Sequence, residues 1–126
     1  MARKALATLQ SLPLATSTDD VVRDAAIQRF EYTFEATWKA AQQFLRELEG
    51  LAVASPKGSI RESFQNGLLT EEEARAAMGM ADDRNLTVHT YNESLSQAIF
   101  SRLSTHAAIM GRWLQAMEER TNESTL

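Results

Sequence analysis

Between Pro13 and Gly50 the chain contains neither glycine nor proline, and its large apolar residues recur there with the period of an α-helix. At 100° per residue, Ile27, Phe30, Phe34, Trp38, Ala41, Leu45 and Leu48 share an arc of about 80°. The period-two geometry of a strand would divide the same residues between two faces. One long helix burying one aromatic stripe is therefore the element around which the rest must fold. The stripe reads as core packing rather than a cofactor box. Its ends carry matching signals: Thr18 as a hydroxyl N-cap, Asp19 and Asp20 on the positive end of the helix dipole, and Gly50 as a stop. Tyr32 falls on the opposite face, and Glu31 at the edge of the stripe reads as a solvated or ion-paired carboxylate.

The remaining segments are shorter and also helical. Residues 3–12 place Leu6, Leu9 and Leu12 on a first helix, closed by Pro13 and the polar turn Ala15-Thr16-Ser17. Ser55-Pro56 sets a capping hydroxyl before a proline at the first helical position. Ile60, Phe64 and Leu68 then form one apolar face, closed by Asn66-Gly67. Thr70 and Glu73 have capping-box spacing and open a helix with Ala74, Ala77, Met78 and Ala81 on one stripe. Thr90 and Glu93 repeat that spacing. The helix predicted from there buries Leu95, Ile99, Leu103, Met110, Leu114 and Met117, with His106 and Trp113 alongside, and runs to about Arg120. Gly111 inside it costs about 1 kcal/mol relative to alanine and so marks close packing. The tail 121–126 is polar and expected to be disordered. The chain is thus expected to be a single all-α domain over residues 1–126, an antiparallel up-and-down bundle of four to five helices.

Composition narrows the chemistry. With no cysteine, disulfides and thiolate metal sites are excluded, and two histidines away from acidic clusters offer no structural metal site. No cofactor is expected. No apolar stretch approaches the ~20 residues of a membrane span, and no secretory h-region follows Met1, so a soluble, cytoplasmic protein is expected. A net charge of −4 argues against broad coating of nucleic acid, but ten of the thirteen basic residues are arginine, the better grip for phosphate.

The unusual chemistry is concentrated in Asp82-Asp83-Arg84-Asn85-Leu86-Thr87-Val88-His89-Thr90-Tyr91. With Met78 as the zero of the helical wheel, Ala74 lies at about 320°, Ala77 at about 260° and Ala81 at about 300°. Arg84 then falls at about 240°, Asn85 at about 340° and His89 at about 20°, on the continuation of the buried stripe. Polar groups there need partners, at roughly 1–3 kcal/mol for each one left unpaired. Either Arg84 pairs with Asp82 or Asp83 while His89 caps the helix C-terminus, or the three meet a ligand or a second protein surface. Metal-independent cleavage of RNA would use such a set. Histidine moves the protons, arginine holds the non-bridging oxygens, and a two-fold dimer would supply each residue twice. His106, on an apolar stripe, reads as a satisfied core histidine.

Arg84-Asn85-Leu86-Thr87-Val88-His89 resembles the Arg-x4-His signature of HEPN proteins. Extended to Tyr91 it resembles the Arg-x4-His-x-Tyr form found in HEPN partners of minimal nucleotidyltransferases (MNT). Arg29–Lys39, Ser55–Arg61 and Asp83–Tyr91 are similar to the subgroup of nucleotidyltransferase substrate-binding proteins, and the likeness spans about residues 5 to 118. It implies a HEPN-like homodimer with the two motifs facing each other. It also implies an endoribonuclease toxin with Arg84 and His89 catalytic and Asn85 supporting, silenced when its MNT antitoxin adds AMP to Tyr91. The alternative it implies is a non-catalytic subunit presenting substrate to a separate nucleotidyltransferase; a plain helical interaction module is the third reading.

Overall fold

The computed structural model describes residues 1–14 and 19–124. All regular structure among them is helical: α1 (Ala2–Gln10), α2 (Asp20–Glu49), α3 (Pro56–Gln65), α4 (Glu71–Leu86), a 3₁₀ turn (Thr87–His89) and α5 (Glu93–Ser124). The expected all-α class is what forms.

The long helix is as its periodicity requires. Ile27, Phe30, Phe34, Trp38, Ala41 and Leu45 are buried, and Leu48 is half-buried. The stripe is wider than the apolar residues alone, because Thr33 and Thr37 are also fully buried. Their hydroxyls donate to the carbonyls of Arg29 (2.6 Å) and Thr33 (2.7 Å), which satisfies them inside the core. The turn Ala15-Thr16-Ser17 and the capping hydroxyl expected of Thr18 lie outside the described residues. The cap is instead the side chain of Asp19, which accepts from the Val21 N–H at 2.8 Å. At the other end Gly50 adopts φ 67°, a left-handed conformation open to glycine at no steric cost.

Several boundaries move by a residue or a turn. The Ser55 cap with Pro56, and both halves of the Thr70–Glu73 capping box, form as expected. The second box does not. Helix α5 opens later, on Asn92, whose side chain accepts from Leu95 N–H at 3.1 Å, while Thr90 offers only its carbonyl, to Ser96. On α3 the buried face carries Ser59, Ile60 and Ser63, whereas Phe64 is exposed. That rotation lets the Ser63 hydroxyl accept from the indole N–H of fully buried Trp113 at 3.0 Å. On α4 the filler is Met80, not the half-buried Met78. Helix α5 continues to Ser124, past the expected end at Arg120 and into the expected tail. Gly111 does lie under α1, and a Cβ there would sit 3.7 Å from Leu6, ordinary contact rather than a clash.

Ion pairs fix the directions. Arg3 with Glu118 (2.7 Å), Glu73 with Arg112 (3.4 Å) and Asp83 with Arg102 (2.8 Å) set α1 and α4 antiparallel to α5. Arg23 near Glu93 (3.8 Å) and Glu49 near Arg120 (3.6 Å) set the two long helices parallel. The chain reverses between α2 and α3 through residues 51–55, which have no regular structure and are tied to α2 by the Gln42 side chain donating to the Val53 carbonyl (2.8 Å). That return brings the start of α3 back beside the middle of α2 and the end of α4. The polar segment sits there. No helix among the described residues is long and apolar enough to cross a membrane.

Candidate functional site

The last turn of α4 separates the polar residues onto different faces. The α-helix stops at Leu86 and the next three residues wind more tightly, so a wheel extended to His89 no longer describes the chain. On the same wheel the buried arc of α4 runs from Asp83, at about 140°, through Met80 to Ala74, at about 320°. Arg84 lies at its middle and is half-buried, while Asn85, just past its edge, and His89 are exposed. The expectation that all three continue the buried stripe is thus corrected, because centring the stripe on Met78 displaced it by about 130°.

Arg84 uses neither neighbouring carboxylate. Asp82 is taken by Lys57 of α3 at 2.7 Å. Asp83, 5 % exposed, accepts a two-point hydrogen bond from Arg102 (Nε and Nη2, both 2.8 Å) and another contact from His106 Nε2 at 2.7 Å. The partner of Arg84 is Glu35 of α2, 3.5 Å away, a carboxylate also held by the Trp38 indole N–H at 3.2 Å. A guanidinium in the last turn also suits the negative end of the helix dipole. Its Nη1 lies 3.5 Å from the Thr87 hydroxyl, and its buried Nε has no hydrogen-bond partner. A cleft of about 440 Å³ opens beside it, walled by Phe34 and Glu35 of α2, Pro56, Lys57 and Arg61 of α3, and Asn85 of α4.

His89 and Tyr91 lie beyond the cleft on the 3₁₀ turn and the link to α5. The Tyr91 hydroxyl is 3.5 Å from His89 Nδ1, the rings meet edge-on at 6.0 Å, and Tyr91 is 86 % exposed. Leu86 and Val88 are exposed on the same few residues. Within the chain the hydrogen bonds and ion pairs of Arg84 run to Glu35 and Thr87 rather than to His89.

The group behind α4 is structural. His106 is buried and stacked on Phe30 with ring centres 5.4 Å apart. Burial pushes its pKa down against the pull of the Asp83 hydrogen bond and charge, and Arg102 lowers it further. Burial alone would raise the Asp83 carboxyl. Hydrogen bonds from Arg102 and then His106, with their charges, hold it below the usual carboxylate range. His106 Nδ1 is buried without a partner, which fits a neutral ring donating from Nε2, since a second N–H there would be a costlier orphan. Arg102 is therefore the cation of this cluster, and His106 is the core histidine expected of it, although only Nε2 is paired and Nδ1 is not.

Glu35, Lys57 and Arg61 carry no site signal of their own in the sequence, although two of the stretches that bear the family likeness contain them. Glu35 lies about 80° from Ile27 on the wheel of α2, outside the stripe, and nothing in its own helix says that α4 ends beside it.

Residues 1–119 match the model of the family described as nucleotidyltransferase substrate binding protein like. The chain belongs to this family. Its fold matches the crystal structure of a protein from Thermus thermophilus with 61% identity and a TM-score of 0.90, covering 93% of this chain and 98% of that one. It also matches a tri-AMPylated HEPN toxin from Shewanella oneidensis, in complex with MNT antitoxin, at 19% identity and a TM-score of 0.76, covering 94% of this chain and 91% of that one. The expected HEPN-like bundle is thereby the observed one. No curated protein matches the chain. In this member of the family Arg84, Asn85, His89 and Tyr91 thus stand on a cleft wall and the exposed turn that follows it, with Glu35 the added carboxylate.

Proposed function

We propose that this chain is the HEPN subunit of a cytoplasmic HEPN–MNT pair and acts as a metal-independent endoribonuclease. The observation that carries this reading is the complete Arg84, His89 and Tyr91 set presented at one helix end, with both rings open to solvent. In the reaction, His89 of one protomer takes the proton of an RNA 2′-hydroxyl as that oxygen attacks the adjacent phosphorus. Arg84 stabilises the charge on the non-bridging oxygens. The bond to the 5′-oxygen breaks, and His89 of the second protomer supplies its proton, leaving a 2′,3′-cyclic phosphate and a 5′-hydroxyl. Asn85 supports the phosphate from the same wall of the cleft.

A homodimer is part of this reading, since one chain has a single histidine here and cannot readily make both transfers. Leu86 and Val88 (69 % exposed) provide an apolar face on the same turn for the second copy. Tyr91, being exposed, is the acceptor for AMP from the MNT antitoxin, which would add bulk and negative charge beside His89.

The test is purified protein with a mixed RNA pool. The wild type yields products ending in cyclic phosphate, while His89→Ala and Arg84→Ala do not. Tyr91→Phe still cleaves but no longer gains the mass of one AMP when incubated with the transferase and ATP. Equal RNA integrity with wild type and His89→Ala would sink the ribonuclease reading. The family description and the cleft beside Arg84 favour a second reading, a substrate-presenting subunit of the nucleotidyltransferase. A stable complex with the transferase and no RNA cleavage would establish it.

A further inference from the structure

We infer that the cleft between α2, α3 and α4 is a phosphoryl-binding subsite in which Arg61 and Arg84 hold one phosphate group, from a ribonucleotide strand or a free nucleotide. Two arginines on different helices wall a space of about 440 Å³, a volume within the range of small-ligand sites. Among the described residues Arg61 is exposed and has no ion pair or hydrogen bond, although its helix belongs to an acidic chain of net charge −4. The wall carries three cations (Lys57, Arg61, Arg84) against one carboxylate (Glu35), a local excess of two positive charges. Lys57 is partly neutralised by Asp82, so Arg61 and Arg84 carry the available charge.

The two arginines of the polar region contrast a satisfied guanidinium with an unsatisfied one. Arg102 grips Asp83 with two hydrogen bonds of 2.8 Å. Arg84 has only a loose approach of 3.5 Å to Glu35 and a marginal contact of the same length to Thr87, so most of its fork is available. Glu35 thus orients Arg84 without consuming it. A phosphate placed between the arginines would gain charge-assisted hydrogen bonds from both and remove their mutual repulsion. Pro56 and Asn85 on the same wall give the attached sugar or base an apolar surface and an amide.

This inference extends the reading of Arg84 as the phosphate grip and rests on it, and its test separates binding from cleavage. The protein used is His89→Ala, so that bound RNA persists. Affinity is measured for a fluorescent single-stranded RNA 12-mer and, separately, for ATP, across a salt series. Adding Arg61→Gln should weaken the ligand about tenfold, the loss of one charge-assisted contact. With the RNA it should also flatten the slope of log K against log salt by about 0.7. Arg61→Lys should recover part of the loss. Arg75→Gln, which removes an arginine paired with Glu71 on the exposed side of α4, should change neither. Arg61-dependence with the RNA identifies a strand as the source of the phosphate, and with ATP alone a free nucleotide. Binding of both ligands unchanged by Arg61→Gln, equal losses for Arg61→Gln and Arg75→Gln, or no binding of either ligand would overturn the inference. Arg61-dependent binding by a chain whose His89 form never cleaves RNA would refute the ribonuclease proposal alone.

Discussion

Replacing Asp83 by alanine should be among the most damaging single changes in this chain, and the structure sets its size. Three hydrogen bonds meet at this buried carboxylate, two from Arg102 and one from His106. Bonds to charged groups contribute about 1.5–3 kcal/mol each, so the gross loss is roughly 5–9 kcal/mol. Arg102 recovers part of it by hydration, because its side chain is already 46% exposed. His106 recovers nothing, since it is 5 % exposed and its Nε2–H would be left without an acceptor. The net cost should be about 3–5 kcal/mol, the usual result of removing one partner of a buried pair. In a domain of this size that lowers the melting temperature by about 10–20 °C. Asp83→Asn keeps the volume and an acceptor for His106, and should cost only about 1–2 kcal/mol. Urea unfolding followed by circular dichroism measures both variants. A loss below about 1 kcal/mol for Asp83→Ala would refute the claim that this cluster clamps the end of α4.

The same cluster sets a pH dependence. The folded pKa of His106 lies below its usual 6.5, mainly through burial. As pH falls below 6.5, the unfolded chain binds a proton that the folded chain refuses, so stability is fully present above pH 6.5 and declines below it. Asp83, held below its usual 3.8, adds a second decline in the same direction beneath that value. His106→Gln should remove the first decline and keep the second. An unchanged profile in that variant as pH falls through 6.5 would contradict the assignment of a neutral buried ring. The remaining expectations concern the scaffold. Gly111→Ala places a methyl group at ordinary contact with Leu6 and restores helix propensity, so unfolding free energy should rise by up to about 1 kcal/mol. Thr70→Ala should cost about 1 kcal/mol through loss of the capping box, whereas Thr90→Ala, whose hydroxyl caps nothing, should stay within about 0.5 kcal/mol of wild type in the same assay. Trp113→Phe leaves a void and an unsatisfied Ser63 hydroxyl, for a loss of about 2–4 kcal/mol. Adding Ser63→Ala to it should recover part of that loss, and strict additivity of the two changes would count against the hydrogen bond as the coupling.

Much of this architecture is legible in the chain itself. The Gly- and Pro-free run with its narrow aromatic arc can only be a long helix, because period and propensity are local properties of consecutive residues. The Ser55 and Thr70 caps are legible for the same reason, as each is a hydrogen bond between residues three apart. Where two nearby residues could both cap, local chemistry does not choose: Asp19 and Asn92 serve where Thr18 and Thr90 are the expected caps. The family likeness, carried by short motifs on three segments, is also present in the residues alone.

Which residues of different helices meet is another matter. Asp83 is an obvious partner for Arg84 along the chain, yet α5 supplies Arg102 and His106 to Asp83, and α2 supplies Glu35 to Arg84. The parallel course of α2 and α5 depends on the return of residues 51–55, which has no periodic signature. The division of Arg84 onto the cleft and His89 onto the open turn depends on where α4 stops and winds tighter. Pairing and facing are set by packing between segments far apart in the chain, where a rotation of one helix by a single residue changes every partner. Local sequence therefore specifies the helices, most of their caps and the presence of the Arg84–Tyr91 chemistry. Packing between distant helices is what sets that chemistry beside a cleft with Arg61 across from it.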